Sequence, residues 1–194
     1  VEYGSGILLK QKAPLINQST IRYHSGSGIG MTSDYLVSAA VLKITNNTIS
    51  NNTSSSDGGG IQIYWYGVNA VVISGNTISN NIGRTGGGIK ADGKVIISDN
   101  TIENNKTGRY ESYDGSFRLE SYGGGIHSNS STVQILNNII KGNQSEEGGG
   151  IKGQGTITGN TIINNYASRS GGGFYLGGHE NNDTPLSDNF ILNN

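Results

Sequence analysis

Isoleucine and asparagine recur along this chain at fixed offsets from one another. The phrase Ile-x-x-Asn-x-Ile-x-x-Asn reads Ile44-Asn47-Ile49-Asn52, Ile73-Asn76-Ile78-Asn81, Ile97-Asn100-Ile102-Asn105, Ile135-Asn138-Ile140-Asn143, Ile157-Asn160-Ile162-Asn165 and Leu186-Asn189-Ile191-Asn194. Between phrases lies a variable stretch that closes on glycine and an apolar anchor. The anchors are Ile7, Ile29, Ile61, Ile89, Ile126, Ile151 and Phe174, with spacings of 22, 32, 28, 37, 25 and 23 residues. The apolar positions are mostly β-branched and alternate with polar ones, as in Val95-Ile96-Ile97 ahead of Asn100 and Ile102, which predicts short strands and no helical stripe. Glycine clusters and Asn-rich corners punctuate them as turns do. The shortest period is too small for a two-helix repeat, so each repeat reads as three short strands and three turns, one rung of a solenoid. Such a unit cannot bury its apolar face alone and must stack on its neighbours, about 4.8 Å apart.

Stacking explains the residue identities. The first Ile of each phrase lies above the next, as does the second, and both columns point inward as a dry core. The columns at Asn47, Asn76, Asn100, Asn138, Asn160 and Asn189 and at Asn52, Asn81, Asn105, Asn143, Asn165 and Asn194 are expected inside as well. A side-chain amide there bonds to the rungs above and below, and unpaired it would cost about 1–3 kcal/mol. Glycines such as those at 58–60 and 148–150 allow sharp turns where a Cβ would strike the neighbouring rung. Residues 1–44 carry a degenerate form: Gly6-Ile7 and Gly28-Ile29 keep the anchor, with Ile16-x-x-Ser19-x-Ile21 in place of the Asn phrase. Residues 45–194 hold the regular coils, residues 106–122 form an inserted loop, and 1–194 reads as one domain.

On its Gly-Gly-Gly-Ile and Asn-x-Ile-x-x-Asn phrases the chain resembles the right-handed parallel β-helices of the pectate-lyase-like superfamily, over essentially its whole length. The phrases are similar to repeats in bacterial and archaeal surface proteins. They also resemble those of the polymorphic outer-membrane adhesins of chlamydiae, which pair Gly-Gly-apolar with Phe-x-x-Asn. Here Thr48, Thr77, Thr101 and Thr161 stand where that Phe would be, and Phe190-Ile191-Leu192-Asn193 matches literally. The resemblance implies an all-β, single-domain right-handed parallel β-helix (β-solenoid) of about seven coils, at the cell surface or outside the cell. That superfamily holds lyases, hydrolases, adhesins and fibres, so function has to come from the site.

Composition narrows the classes. The chain has 194 residues, among them 32 glycines and 24 asparagines. A hydrophobic share of 32% would suggest disorder, but the fixed phase of those residues argues for a fold. A net charge of −1 with 14% charged residues gives no basic footprint for nucleic acid. No apolar run approaches the roughly 20 residues of a membrane-spanning helix. Without cysteine there is no disulfide framework or thiolate metal site, and His24, His127 and His179 fall on separate repeats without zinc-ligand spacing. No cofactor and no metal are predicted. Asn-x-Ser/Thr triplets such as Asn46-Asn47-Thr48 arise from the ladder phrase itself.

The residue after each anchor is expected to face outward, giving the row Leu8, Gly30, Gln62, Lys90, His127, Lys152 and Tyr175. Two residues on, a parallel row holds Tyr64, Asp92, Asn129 and Gln154. Beside these rows Tyr64, Trp65 and Tyr66 are expected to leave the strand, and the inserted loop brings Tyr110, Tyr113, Phe117 and Tyr122 with Arg109 and Arg118. Planar aromatics with amide, acid and base groups along a groove suit a sugar polymer. The candidate carbohydrate-binding set is therefore Tyr64, Trp65, Tyr66, Lys90, Asp92, Tyr110, Tyr113, His127, Asn129, Lys152 and Tyr175. The competing expectation is a solvated sheet face whose charges discourage edge aggregation.

Catalysis is less supported. A lyase resembling pectate lyase needs carboxylates on neighbouring rungs around calcium, whereas Asp57 and Glu147 are three rungs apart. Glycoside hydrolysis needs two carboxylates within about 5–10 Å, and strand alternation aims Glu146 and Glu147 in different directions. No catalytic residue is assigned. The leading expectation is a non-catalytic structural or adhesive solenoid that self-associates through its ends or continues in a longer chain. A polysaccharide-binding or lyase-like module at Lys90, His127 and Lys152 is the alternative.

Overall fold

In the computed structural model, residues 4–10, 14–32, 41–108, 110–111, 117–118, 121–176 and 185–194 are described. Three parallel sheets of seven strands run the length of the molecule, each coil adding one strand to each. The first sheet runs from the Ile7–Lys10 strand to Phe174–Tyr175, the second from Leu15–Asn17 to Leu186–Ser187, and the third from Thr20–Arg22 to Phe190–Leu192. The seven predicted coils are present, and their register is the one the repeat implies. All seven anchors from Ile7 to Phe174 pair in sequence. So do Ile16, Ile44, Ile73, Ile97, Ile135, Ile157 and Leu186, and likewise Ile21, Ile49, Ile78, Ile102, Ile140, Ile162 and Ile191. In the middle coils these columns are wholly buried. Each such side chain contributes about 1.5–3 kcal/mol over leaving it in water.

The corners explain why Asn, Asp and Gly dominate the composition. The residue just before each ladder asparagine has a left-handed backbone: Asn46, Asn51, Asn80, Asn104, Asn137 and Asn164 lie at φ 55–56°, and Gly75, Gly142 and Gly159 fill the equivalent place elsewhere. Among L residues, Asn and Asp adopt that conformation most readily because their short polar side chains bond locally. The double Asn of each phrase thus has two separate causes, one for backbone geometry and one for the ladder. At the third glycine of each triplet the cause is close approach. A Cβ on Gly60, Gly88 or Gly125 would sit 2.6 Å from the carbonyl oxygen of the next coil's glycine.

In the middle coils each ladder amide is fully used. Asn100 donates from Nδ2 to the Ile73 carbonyl at 2.9 Å and to Asn138 Oδ1 at 3.0 Å, while its backbone N–H reaches the same Oδ1 at 3.0 Å. Its own Oδ1 accepts both the backbone N–H and the Nδ2 of Asn76, each at 2.9 Å. Asn105 repeats this arrangement between Asn81 and Asn143 at the next corner. In the first coil Ser19 and His24 take the two ladder places and offer only backbone N–H groups, which bond to Asn47 and Asn52.

Two features depart from the expected rung. A fourth parallel sheet is formed by Ile82–Gly83, Lys106–Thr107, Gln144–Glu147 and Tyr166–Ser170, so the middle coils carry a further strand. Lys106 and Thr107 therefore belong to the coil, and the inserted segment departs after Gly108 with a hairpin that pairs Tyr110 with Arg118 and Glu111 with Phe117. The second departure is Trp65. Tyr64 and Trp65 remain inside the Ile61–Trp65 strand, and Trp65 is 1% exposed in the core, with its indole N–H donating to the Asn69 carbonyl. Strand alternation is the reason: Ile61, Ile63 and Trp65 share the inward parity.

Candidate functional site

The predicted outward row assembles on the first sheet as drawn. Gln62, Lys90, His127, Lys152 and Tyr175 are successive register partners, and Asp92 pairs with Tyr64 beside them. What differs is solvent. Gln62, Lys90, Asp92 and His127 are buried, and Lys152, Tyr64 and Tyr175 are half-buried, so this is not an open solvated face. Asn129 is exposed and gives its backbone N–H to Asp92 Oδ1 at 2.9 Å. Tyr66 is exposed, Trp65 lies in the core, and Tyr110 takes part in the hairpin backbone. Tyr113 and Arg109 lie outside the described residues.

The row closes on itself through unlike neighbours, many supplied by the column just before the glycines. Asp57, in that column, receives the Tyr64 hydroxyl at 2.7 Å and a two-pronged contact from Arg84, Nε to Oδ1 at 2.9 Å and Nη2 to Oδ2 at 3.2 Å. Lys90 Nζ meets Asp92 Oδ1 at 2.9 Å, with the lysine side chain 3% exposed. Lys152 Nζ meets Glu147 Oε2 at 2.7 Å and stands 3.2 Å from the centroid of the Tyr122 ring, a cation–π contact. The Tyr122 ring in turn meets His127 edge-on at 5.7 Å. Arg84 is the member to which the reading of the sheet face assigned no role, and Tyr122, expected beside the face with the inserted loop, was left out of the candidate binding set. Their signal was position, since they sit one or two residues ahead of a glycine cluster on a corner facing the row.

The electrostatics follow from this packing. Burial alone would raise the Asp57 carboxyl, but the hydrogen bonds from Arg84 and Tyr64 outweigh it and hold it below the usual carboxylate value. Burial and then the Asp57 hydrogen bond push the Tyr64 phenol well up. Lys90 is lowered by burial, with the Asp92 charge opposing that shift. His127 is brought down to about 3, first by burial and then by the Lys90 and Lys152 charges, so its imidazole is neutral at ordinary pH. Its Nδ1 is buried without a hydrogen-bond partner. Chemically, Asp57, Asp92 and Glu147 are each neutralised by an adjacent cation. Among the described residues no group of three or more His, Cys, Asp or Glu is placed to hold a metal ion.

Comparison with known proteins agrees with the coil. Residues 2–194 match the family model described as "Right handed beta helix region". Neither the curated proteins nor the solved structures yield a match. The match spans nearly the whole chain, and the chain belongs to the right-handed β-helix family.

Proposed function

We propose that this right-handed β-helix is a non-catalytic structural or adhesive solenoid, displayed at the cell surface or outside the cell, that extends by adding coils at its ends. The observation that carries this reading is how the polar groups are used. The ladder amides bond to one another, and the carboxylates on and beside the first sheet's outer face are bound to Arg84, Lys90 and Lys152. Polar side chains so committed stiffen a rod and leave little free acid or base for turnover. The alternative, polysaccharide cleavage at Lys90, His127 and Lys152, has less support because that row is largely closed to solvent.

An added coil would continue columns that the repeat already sets. Ile191 is 46% exposed and Leu186 40%, although the same columns are fully buried at Ile102 and Ile97. Asn189 and Asn194 keep their ladder bonds to the preceding coil, donating to the carbonyls of Ile157 and Ile162. A further coil, from a second copy or from continuing chain, would cover these side chains and add a strand to three sheets at once. Negative-stain electron microscopy tests the reading. Rods one solenoid wide that lengthen with protein concentration are expected. Particles of one length at every concentration, together with product release from a panel of acidic and neutral polysaccharides, would overturn it.

A further inference from the structure

We propose that the outer side of the fourth sheet is a glycan-binding groove in which Glu146 anchors a neutral sugar. This deepens the adhesive reading above and rests on it for the source of the glycan. Two pockets lie along this side of the solenoid and meet at Gly108, one of about 400 Å³ and one of about 300 Å³. Ser25, Thr53, Ser54 and Ile82 line the first with Arg84. Thr107, Ser121, Gln144, Glu146 and Ser168 line the second. The two together follow the solenoid axis across several coils, a path suited to an extended chain rather than a compact ligand.

Glu146 supplies the chemical signal. Its Oε2 is buried and has no hydrogen-bond partner, a state that is costly until a donor arrives. The backbone is also shaped to present it. Ser145 pairs with Ala167 and Glu147 with Ser170, so Glu146 alone stands opposite the two residues Ser168 and Arg169. The backbone N–H groups of Glu146 and Glu147 both reach the single Ser121 carbonyl at 3.2 Å. Bulges of this kind re-aim a side chain and gather beside functional sites. Glu147, the next residue, turns instead to Lys152 on the first sheet.

The lining selects the ligand class. Glu146 and Lys106 offset one another in the second pocket, so its lining carries no net charge to draw an anionic sugar or a metal cation over a neutral sugar. Hydroxyls from Thr107, Ser121 and Ser168 and the Gln144 amide exchange donors and acceptors with a polyol. Ile82 and Gly108 give the apolar floor on which the C–H face of a pyranose ring rests.

The test is calorimetric titration of the whole chain with neutral hexasaccharides of glucose, mannose, galactose and N-acetylglucosamine, with a polyuronate of similar length alongside. Binding of a neutral hexasaccharide, weakened at least tenfold by Glu146→Leu and unchanged by Lys141→Ala on the third sheet, is the expected result. Should Glu146→Leu not fold, Ser168→Trp fills the pocket from an exposed position and is expected to weaken binding equally. Equal binding by the wild type and either folded variant would overturn the groove, as would preference for the polyuronate. Rods in the microscope with no sugar binding would overturn the groove while leaving the structural reading in place.

Discussion

The two polar rows of this molecule, the asparagine ladders inside the coil and the charged row on the first sheet, are both largely closed to solvent and solve that problem in opposite ways. An amide carries donors and an acceptor together, so one asparagine satisfies the next and the same residue repeats at every coil. A charge cannot stack on its like. On the first sheet the row therefore runs through Gln62, Lys90, His127 and Lys152, and its two lysines are neutralised by Asp92 and Glu147 beside it. Self-complementary groups leave a periodic sequence, whereas partnered charges leave an irregular one.

Breaking a ladder is expected to have the largest effect. Asn105→Ala removes the acceptor for the Asn81 N–H and Nδ2 and the donor to the Ile78 carbonyl, all buried. At about 1–3 kcal/mol for each of the three stranded groups this costs about 3–9 kcal/mol, measured as a lower urea midpoint. On the charged row, Asp92→Ala leaves Lys90 buried beside an empty place and is expected to cost about 3–5 kcal/mol. The double variant Lys90→Met with Asp92→Asn should recover most of that loss, which no single ladder substitution can do.

Acid separates the rows next, because only the charged one titrates. Unfolded histidine takes a proton near pH 6.5, whereas folded His127 resists it down to about 3. The unfolded state binds more protons across that window, so stability is lost as pH falls, by at most about 1.4 kcal/mol per pH unit. Asp57, held below its ordinary value, adds loss in the same direction at the acid end. His127→Asn is expected to flatten the slope between pH 6.5 and 4 in a series of thermal melts. The smallest effect belongs to the pair of Lys141 and Glu103 on the third sheet, whose lysine is 49% exposed. Glu103→Gln should change stability by less than about 1 kcal/mol.

The same contrast sets what was legible in the sequence. The sheets, their register and the core columns follow from Ile and Asn at fixed offsets, since a one-residue slip would turn every column outward. The charged row was placed correctly in space, but Lys90 and His127 are residue types that imply solvent, and their burial depends on what packs around them. Trp65 could have been placed, because it keeps the parity of Ile61 and Ile63. The fourth sheet could not: Ile82-Gly83, Lys106-Thr107 and Gln144-Ser145 share no identity to repeat. The bulge at Glu146 is a register shift between two strands, which a single sequence does not display.

Hydrogen exchange of the asparagine side-chain amides, followed residue by residue by NMR, tests the ladder account most directly. The Nδ2 protons of Asn76, Asn81, Asn100, Asn105, Asn138 and Asn143 are predicted to exchange only on global unfolding, with a protection that falls together with urea stability. Exchange of those protons at the rate of an exposed amide such as Asn46, in a folded protein, would contradict it.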